Sequence, residues 1–184
     1  MGEQKERMLR GEWYLDESDL AEERRRCWRV LDGFNATGAD DDDERRRILG
    51  GLLAQFGPGA RVLPRFQCSY GSLISIGANS FVNNDALFMD DAPITIGADV
   101  RIGPRVQLLT ALHPVEDHER RRAGWERPAP IAIGDNAWLG GGVIVCPGVT
   151  IGGNAVIGAG SVVVRDVPDH VFAAGYPARV IRRL

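Results

Sequence analysis

IGDNAW, LGGGVI, VCPGVT, IGGNAV and IGAGSV follow one another without a gap from Ile133 to Val162. Each unit opens with an aliphatic residue and has a small or β-branched residue at its fifth position. The opening residues, with the next one in the series, are Ile133, Leu139, Val145, Ile151, Ile157 and Val163. A helix repeats every 3.6 residues and a strand every two, so a period of six belongs to neither. The spacing predicts a solenoid of stacked turns.

The units also indicate how each turn closes. Six residues suffice for one short strand and one corner, so three units form a triangular coil whose opening aliphatic residues point inward. Neighbouring coils would pair their backbones as parallel sheet, about 4.8 Å apart. Glycine and asparagine recur after the opening residue, as at Gly134 and Asn136, because corners require positive φ or close backbone approach.

The same register organises most of the chain. It returns upstream at Ile76, Ile96 and Ile102, and it breaks between Leu108 and Ile131. We therefore predict a mainly β protein with two parts. A helical cap segment occupies residues 1–57, and a parallel β-helix occupies residues 58–184, with a protruding loop at 109–130 and a terminal segment at 168–184.

Residues 1–57 are charged and follow helical periodicity. One predicted helix begins near Asp16 or Ser18, and its apolar stripe consists of Leu20, Cys27, Val30 and Leu31. A second begins in the acidic cluster 40–43, where carboxylates favour a helix N-terminus, and runs to Phe56. A solenoid needs both ends closed, and we expect these helices to close one of them.

Composition narrows the class of protein. The formal net charge is −3 and the pI is near 5.6, which gives no reason to expect a nucleic-acid partner. The arginine runs 24–26 and 45–47 adjoin acidic residues, so we interpret them as solvated helix faces with ion pairs, not as phosphate sites. The three cysteines form no CxxC motif, and there is no long apolar run. A soluble cytoplasmic protein without membrane attachment is expected.

The loop at 109–130 contains His113 and His118. Loops that interrupt a rigid repeat tend to carry function, because the scaffold is complete without them. Pro114 restricts the backbone of His113 to extended conformations. An imidazole titrates near neutrality and can accept a proton from an alcohol. His113 is therefore the candidate general base.

The chain resembles the maltose and galactoside O-acetyltransferases of the hexapeptide-repeat superfamily over nearly its full length. The matching segments, in the order of that family, are MLRGEWY at 8–14, FN at 34–35, CSYG at 68–71, FVNN at 81–84, MDD at 89–91, HPV at 113–115, PIAIGDN at 130–136 and AGYPARVI at 174–181. Hexapeptides alone indicate only a β-helix, whereas the helical N-terminus and the CSYG, MDD and HPV segments narrow the resemblance to this subfamily. It implies a left-handed coil, contrary to the usual crossover preference.

The resemblance also implies an activity. An acetyl group would pass from acetyl-CoA to a sugar hydroxyl by direct attack, with His113 as the base, no acyl-enzyme and no metal. The Gly141 N–H would stabilise the oxyanion. Positions matching the sugar pocket are Asp16, Ser69, Asn83, Asp91 and, in a loop one residue longer than in the galactoside relatives, Glu126. Positions matching the cofactor site are Gly103, Gly141, Ala159, Val164 and Arg165, while Arg179 and Arg182 could meet phosphates. The family forms homotrimers with active sites between subunits, and we expect the same here.

Three alternatives remain at this point. A γ-class carbonic anhydrase has the same fold, and the spacing of His113 and His118 copies two of its ligands. Zinc catalysis needs three protein ligands, however, and no histidine precedes His113. A non-catalytic β-helix scaffold is the second alternative, although it would not need the histidine of the HPV segment. The third is an acetyltransferase whose acceptor is not a simple sugar, such as an antibiotic.

Overall fold

The computed structural model describes residues 2–184, and the chain begins with helices. α1 (Glu3–Leu9), α2 (Ser18–Asn35) and α3 (Asp42–Leu52) accompany a short strand, β1 (Tyr14–Leu15). The sequence predicted α2 and α3 but not α1. The prediction that the last helix reaches Phe56 was wrong, because Gln55 and Phe56 pair with a strand of the stack. Val30 is 41% exposed, and Phe34 completes the buried stripe of α2 in its place.

These helices cover the first coil of the stack. Leu31 and Phe34 of α2 and Leu49 of α3 belong to the same hydrophobic core as the coils. Phe34 meets Phe66 edge-to-face, with ring centroids 6.4 Å apart. The side-chain amide of Asn35 bonds both the N–H and the C=O of Phe66, at 2.9 Å each. The helices therefore close one end of the stack, as predicted.

The remaining strands are short and follow one another closely. In chain order the elements are β2 (Gln55–Phe56), β3 (Arg61–Val62), β4 (Phe66–Cys68), β5 (Ile74–Ile76), β6 (Phe81–Val82), β7 (Ala86–Met89), β8 (Ile94–Ile96), β9 (Arg101–Ile102), β10 (Gln107–Leu109), β11 (Ala111–Leu112), α4 (His118–Arg122), β12 (Trp125–Pro128), β13 (Ile131–Ile133), β14 (Trp138–Leu139), β15 (Ile144–Val145), β16 (Thr150–Ile151), β17 (Val156–Ile157), β18 (Val162–Val163), β19 (Val171–Gly175) and β20 (Ala178–Arg183).

Three parallel sheets form the sides of the solenoid. Face 1 contains β2, β5, β8, β13 and β16; face 2 contains β3, β6, β9, β14 and β17; and face 3 contains β4, β7, β10, β15 and β18. On face 1, Ile76, Ile96, Ile133 and Ile151 pair in register, and none is more than 2% exposed. The predicted stack of parallel coils with aliphatic columns inside is confirmed.

The corners use two different positions of the hexapeptide for two different purposes. At the second position there is no room for a side chain, since a Cβ on Gly134 would lie 2.5 Å from the backbone nitrogen of Gly153. At the fourth position the chain turns through positive φ, as at Asn136 (56°) and Gly142 (70°). Close approach and left-handed turning thus account for the recurring glycine and asparagine.

The predicted loop 109–130 begins slightly later than expected, because Leu109 still pairs with Met89 on face 3. The residues after it leave the stack but have regular structure of their own. β11 and β12 form an antiparallel hairpin, and β1 joins its outer edge, so that Tyr14 lies opposite Glu126. α4 begins after Asp117, whose carboxylate accepts the N–H of Arg120 at 2.9 Å. The stack continues beneath this excursion, because Leu108 pairs directly with Val145.

The far end of the stack is closed by a hairpin. β19 extends face 2 by pairing with β17, and β20 folds back antiparallel to β19. Among residues 2–184, no helix combines the length and the apolar character required to cross a membrane.

Candidate active site

His113 directly follows β11, and the hairpin determines its orientation. Its Nδ1 lies 3.0 Å from the backbone carbonyl oxygen of Trp125 on β12. A carbonyl can only accept a hydrogen bond, so Nδ1 carries the hydrogen and the lone pair is on Nε2. The side chain is 54% exposed. The arrangement leaves Nε2 of a neutral imidazole free to act as a base.

Glu126 faces that free nitrogen. Its Oε1 lies 3.8 Å from Nε2 of His113, and its Oε2 lies 2.8 Å from the hydroxyl of Tyr14. The carboxylate side chain is 23% exposed. A carboxylate at this distance stabilises the imidazolium that forms when the histidine takes up a proton.

A pocket of about 390 Å³ opens beside these two residues. Its lining comes from the residue after β1, from the middle of α2, from the ends of two face 3 strands, from the corner after β7 and from the excursion. The lining residues are Asp16, Arg24, Trp28, Met89, Asp91, Leu109, Ala111, His113 and Glu126. We refer to it as the His113 pocket. It has a charged wall and an apolar wall, as sites for small polar ligands often do.

Two adjacent aspartates at the corner after β7 have different roles. Asp90 is fully buried, and its carboxylate accepts the backbone N–H groups of Ser69 and Tyr70 at 2.9 and 2.8 Å. Burial raises the pKa of Asp90 from an ordinary 3.8 to about 7. Asp91 points into the His113 pocket, and burial also raises its pKa. Asp90 therefore holds the corner, and Asp91 lines the pocket with its Oδ1 3.0 Å from the Tyr14 hydroxyl.

Arg24 corrects one of our predictions. The arginine run 24–26 was assigned to a solvated helix face, but the Arg24 guanidinium binds the Asp16 carboxylate and the Tyr70 hydroxyl inside the pocket. Arg24 lies on the same face of α2 as Leu20 and Leu31, at helical spacing from both, and this signal in the sequence was overlooked. Arg25 and Arg26 do lie outside, paired with a glutamate one turn away.

The run 45–47 needs a similar correction. Arg45 is only 7% exposed. Its guanidinium donates to the carbonyl oxygens of Gly38 and Ala39 and to Asp42, so it holds the connection between α2 and α3. Arg47 pairs with Glu44 at the surface, as expected.

The predicted sugar-site residues do not all meet in one place. Asp16, Asp91 and Glu126 line the His113 pocket, and Ser69 adjoins it, with its Oγ 3.5 Å from Oδ2 of Asp91. Asn83 lies elsewhere. It follows β6 at the edge between faces 2 and 3, where its side chain accepts the N–H of Asn84 at 2.8 Å.

Three predicted cofactor residues share the edge on which Asn83 lies. Gly103, Gly141 and Ala159 follow successive strands of face 2. Gly103 and Gly141 stack closely, since a Cβ on Gly103 would be 2.6 Å from the nitrogen of Gly141. No acceptor within residues 2–184 is bonded to the Gly141 N–H. That N–H is therefore available to a ligand.

The other predicted cofactor residues lie near the terminal hairpin. Arg165 and Arg179 line a shallow depression of about 140 Å³. Val164 is 43% exposed, and the guanidinium of Arg182 reaches only the carbonyl oxygen of Arg183. Within the described residues, none of these three arginines forms an ion pair with a carboxylate. Their charge is available to an anionic ligand.

Several pocket residues were not predicted. Trp28, Met89 and Leu109 line the pocket, and the buried Tyr14 bonds two of its lining residues, Asp91 and Glu126; only the meeting of β1, α2, face 3 and the excursion reveals them. Tyr14 had a weak signal in the sequence, because it lies two residues before Asp16. Nowhere in residues 2–184 do three or more His, Cys, Asp or Glu side chains converge as a metal would require.

Comparison with known proteins is consistent with this geometry. Residues 7–57 match the maltose acetyltransferase hexapeptide capping motif, and residues 130–165 match six bacterial transferase hexapeptides. Galactoside O-acetyltransferase of Escherichia coli is 42% identical over 97% of this chain and 88% of its own length.

Solved structures agree over the whole chain. A maltose O-acetyltransferase from Clostridium difficile superposes with a TM-score of 0.96 at 43% identity, covering 98% of this chain and 97% of its own. A galactoside acetyltransferase in complex with coenzyme A gives 0.94 at 41% identity, with 100% and 92% covered. The chain therefore belongs to the family of hexapeptide-repeat acetyltransferases that includes the maltose and galactoside O-acetyltransferases.

Proposed function

We propose that this protein transfers the acetyl group of acetyl-CoA to a hydroxyl group of a sugar, with His113 as the general base. As a family member the chain is an acetyl-CoA-dependent acetyltransferase; the base and the acceptor are the proposal. The observation that carries it is the bond from Nδ1 of His113 to the Trp125 carbonyl. In the neutral imidazole that bond places the lone pair on Nε2, at the wall of a pocket of about 390 Å³.

The chemistry that follows is a direct transfer. Nε2 of His113 takes the proton of the acceptor hydroxyl while the oxygen bonds to the thioester carbonyl carbon. The carbon–sulfur bond then breaks, and the proton passes from the imidazolium to the departing sulfur. Glu126 stabilises the transient imidazolium from 3.8 Å. The free N–H of Gly141 suits the oxyanion that develops on the carbonyl oxygen.

The lining of the His113 pocket favours a sugar as the acceptor. Carboxyl oxygens of Asp16, Asp91 and Glu126 can accept hydrogen bonds from hydroxyl groups, while Trp28 and Met89 supply apolar contact for C–H faces. The named activities of the relatives, on galactosides and maltose, fit this chemistry.

A homotrimer would complete the site. Ser69 and Asp91 follow strands of face 3 and His113 belongs to the excursion that leaves this face after β10, whereas Asn83 and Gly141 follow strands of face 2, so one chain carries the two halves on different edges. We propose that a neighbouring subunit brings its edge with Asn83, Gly103, Gly141 and Ala159 to this His113 pocket.

The outer faces support such packing. Face 1 is polar or small outside, with Gln55, Ser75, Thr95, Ala132 and Thr150. Faces 2 and 3 carry large apolar side chains on their outer surfaces as well as polar ones. The apolar residues include Phe81, Leu87, Trp138, Ile144 and Val162, and the polar ones are Arg61, Arg101, Gln67 and Gln107. Large apolar side chains outside a fold are typical of surfaces buried between subunits.

Acetyl-CoA would lie along the same edge. Gly103 and Gly141 allow the pantetheine arm to approach the backbone, and Ala159 would extend that path, whereas Val164 follows a strand of face 3 and would contribute from the other edge. Arg165, Arg179 and Arg182 would meet the phosphates, because none of them is neutralised by a carboxylate in the described residues.

An acceptor screen tests the proposal. Purified protein is incubated with acetyl-CoA and glucosides, galactosides, maltose and non-sugar alcohols, and release of the CoA thiol is followed. His113→Ala should lower transfer by about 10² to 10⁴-fold. His118→Ala is the matched control, since His118 is exposed on α4, and it should retain wild-type rates.

The outcomes separate the two parts of the proposal. Undiminished transfer by His113→Ala would eliminate the assigned base. Failure of every sugar, combined with transfer to another alcohol, would eliminate the substrate class and leave the base in place.

A further inference from the structure

The hydroxyl of Tyr14 lies between two carboxyl groups. It is 3.0 Å from Oδ1 of Asp91 and 2.8 Å from Oε2 of Glu126. Tyr14 is 1% exposed and Asp91 is 3% exposed, so bulk water does not separate these oxygens. The three groups come from β1, from the corner after β7 and from β12. The tyrosine therefore connects the N-terminal segment, the stack and the excursion through one oxygen atom.

The hydrogen atoms in this contact can be counted. A phenol has a single O–H and can donate to one partner only, and an ionised carboxylate can only accept. If both carboxyl groups were ionised, one of the two short contacts would join lone pairs on two buried oxygens, which is repulsive. Two hydrogen bonds among these three oxygens require two hydrogens. One carboxyl group must therefore be protonated.

The surroundings identify which group holds the extra proton. Burial raises the pKa of Asp91, the negative charges of Glu126 and Asp16 raise it further, and Arg24 acts in the opposite direction. A phenol that donated to Asp91 would offset part of this rise. The neighbours Asp90 and Tyr70 offer no positive charge. Asp91 is also the more deeply buried of the two, since the Glu126 side chain is 23% exposed.

We propose that Asp91 is a neutral acid that donates to Tyr14, and that Tyr14 in turn donates to Glu126 as a positioning residue for the reaction. The chain Asp91–Tyr14–Glu126 fixes one carboxylate oxygen of Glu126 and directs the other at Nε2 of His113. Its catalytic consequence rests on the proposed function of His113. Its proton arrangement does not, because it follows from the three oxygens and from the burial and charges around Asp91.

Carbon NMR on protein labelled at the aspartate carboxyl carbons tests the arrangement without substrate. The Asp91 signal is assigned by its loss in Asp91→Asn, and its titration is compared between wild type and Tyr14→Phe. If Asp91 is the donor, phenylalanine removes the acceptor of the neutral acid, and the midpoint moves to lower pH. If Tyr14 donates to an ionised Asp91, the same variant removes a donor to the carboxylate, and the midpoint moves to higher pH.

Tyr70→Phe is the matched control. Tyr70 is a buried neighbour whose hydroxyl accepts from Arg24, so it contributes no bond to either carboxyl group. An upward or absent shift in Tyr14→Phe, or an equal downward shift in Tyr70→Phe, overturns the proposal. Circular dichroism at each pH verifies that the variants remain folded.

Kinetics test the positioning role separately. Tyr14→Phe should lower kcat for acetyl transfer by about 10 to 100-fold with a smaller change in acceptor KM, because a charge-assisted hydrogen bond that orients Glu126 is lost. Glu126→Gln should lower kcat by a similar factor, and kcat of the double variant should be no lower than that of the less active single variant. Independent, multiplying losses would overturn the positioning role. A protein without transferase activity that still shows the downward NMR shift would refute only the proposed function.

Discussion

The coil stack and the His113 pocket are built on opposite principles. In the stack, one pattern is repeated: an aliphatic residue such as Ile96 or Ile133 fills the interior, and its backbone pairs with the coils on either side. In the pocket nothing is repeated, because Asp16, Asp91 and His113 come from three unrelated segments. The regular coils form a rigid frame, and their repeated aliphatic side chains fill the interior and take no part in chemistry. Chemistry is found where the chain departs from the regular pattern.

The first test of this contrast is to add a single methyl group to each region and to compare the losses in stability. Gly77→Ala in the stack would place Cβ 2.5 Å from the carbonyl carbon and oxygen of Gly97, and backbone held in a sheet cannot give way cheaply. We expect a loss of about 3 kcal/mol or more in the free energy of unfolding. The measurement is urea unfolding at fixed protein concentration.

Gly124→Ala in the excursion is the paired variant. No atom lies within 4 Å of the added methyl group, and only the positive φ of 82° is unfavourable, which costs about 1 kcal/mol. Equal losses in the two variants would contradict the view that the excursion tolerates changes the stack does not.

Changing pH should separate the two regions as well, with an effect of comparable size. Aliphatic columns are insensitive to protons, whereas the corner beside the pocket is held by the buried carboxyl group of Asp90, whose pKa burial raises to about 7. A raised pKa means that the folded state binds the proton more tightly than the unfolded chain. The resulting stabilisation is complete below about pH 4 and is lost as the pH rises through 7. The loss is at most about 4 kcal/mol.

Asp90→Asn isolates this contribution. The unfolding free energy of the wild type minus that of the variant should decrease as the pH increases from 4 to 8, whatever its value at pH 4. Chemical denaturation at several pH values measures it. A difference that stays constant with pH would show that the buried carboxyl group does not govern the corner.

The regular part of the molecule was predictable, for a physical reason. The requirements of each hexapeptide are local. It needs an aliphatic residue for the interior, a glycine where the backbone approaches the next coil, as at Gly134, and a residue that accepts positive φ, such as Asn136. Each requirement recurs, so chance agreement is small. The helical cap was predicted less well. The strand at Gln55–Phe56 was predicted as the end of a helix, because a strand of only one polar and one apolar residue is too short to show a periodicity.

The pocket could be predicted only through resemblance and only in part. His113, Asp16, Asp91 and Glu126 were predicted and meet in one pocket, but their proximity depends on distant segments packing together, which no local pattern encodes. Tyr14 and Arg24 were missed for the same reason. A buried tyrosine or arginine is defined by the partners it finds, and here those partners are far away in sequence, 77 residues in the case of Tyr14 and Asp91.

The smallest predicted effect concerns how the excursion is attached to the N-terminal segment. The guanidinium of Arg120 on α4 lies 5.7 Å from the ring centroid of Trp13 and 5.0 Å from that of Trp125. Cation–π contacts of this kind contribute about 0.5 to 2 kcal/mol. Trp125 also supplies the carbonyl oxygen that orients His113, so loosening it should affect the base as well as the loop.

Arg120→Ala should therefore lower the unfolding free energy by about 1 kcal/mol and reduce the rate of acetyl transfer several-fold, measured by thiol release at saturating acetyl-CoA. Arg122→Ala is the matched control two residues away on the same helix, and it should change neither quantity, because no ion pair or ring contact of Arg122 is found in residues 2–184. If both variants lose activity equally, the excursion depends on its overall charge. If only Arg120→Ala does, the chain holds its irregular region in place with a few specific contacts, where the stack uses many equivalent ones.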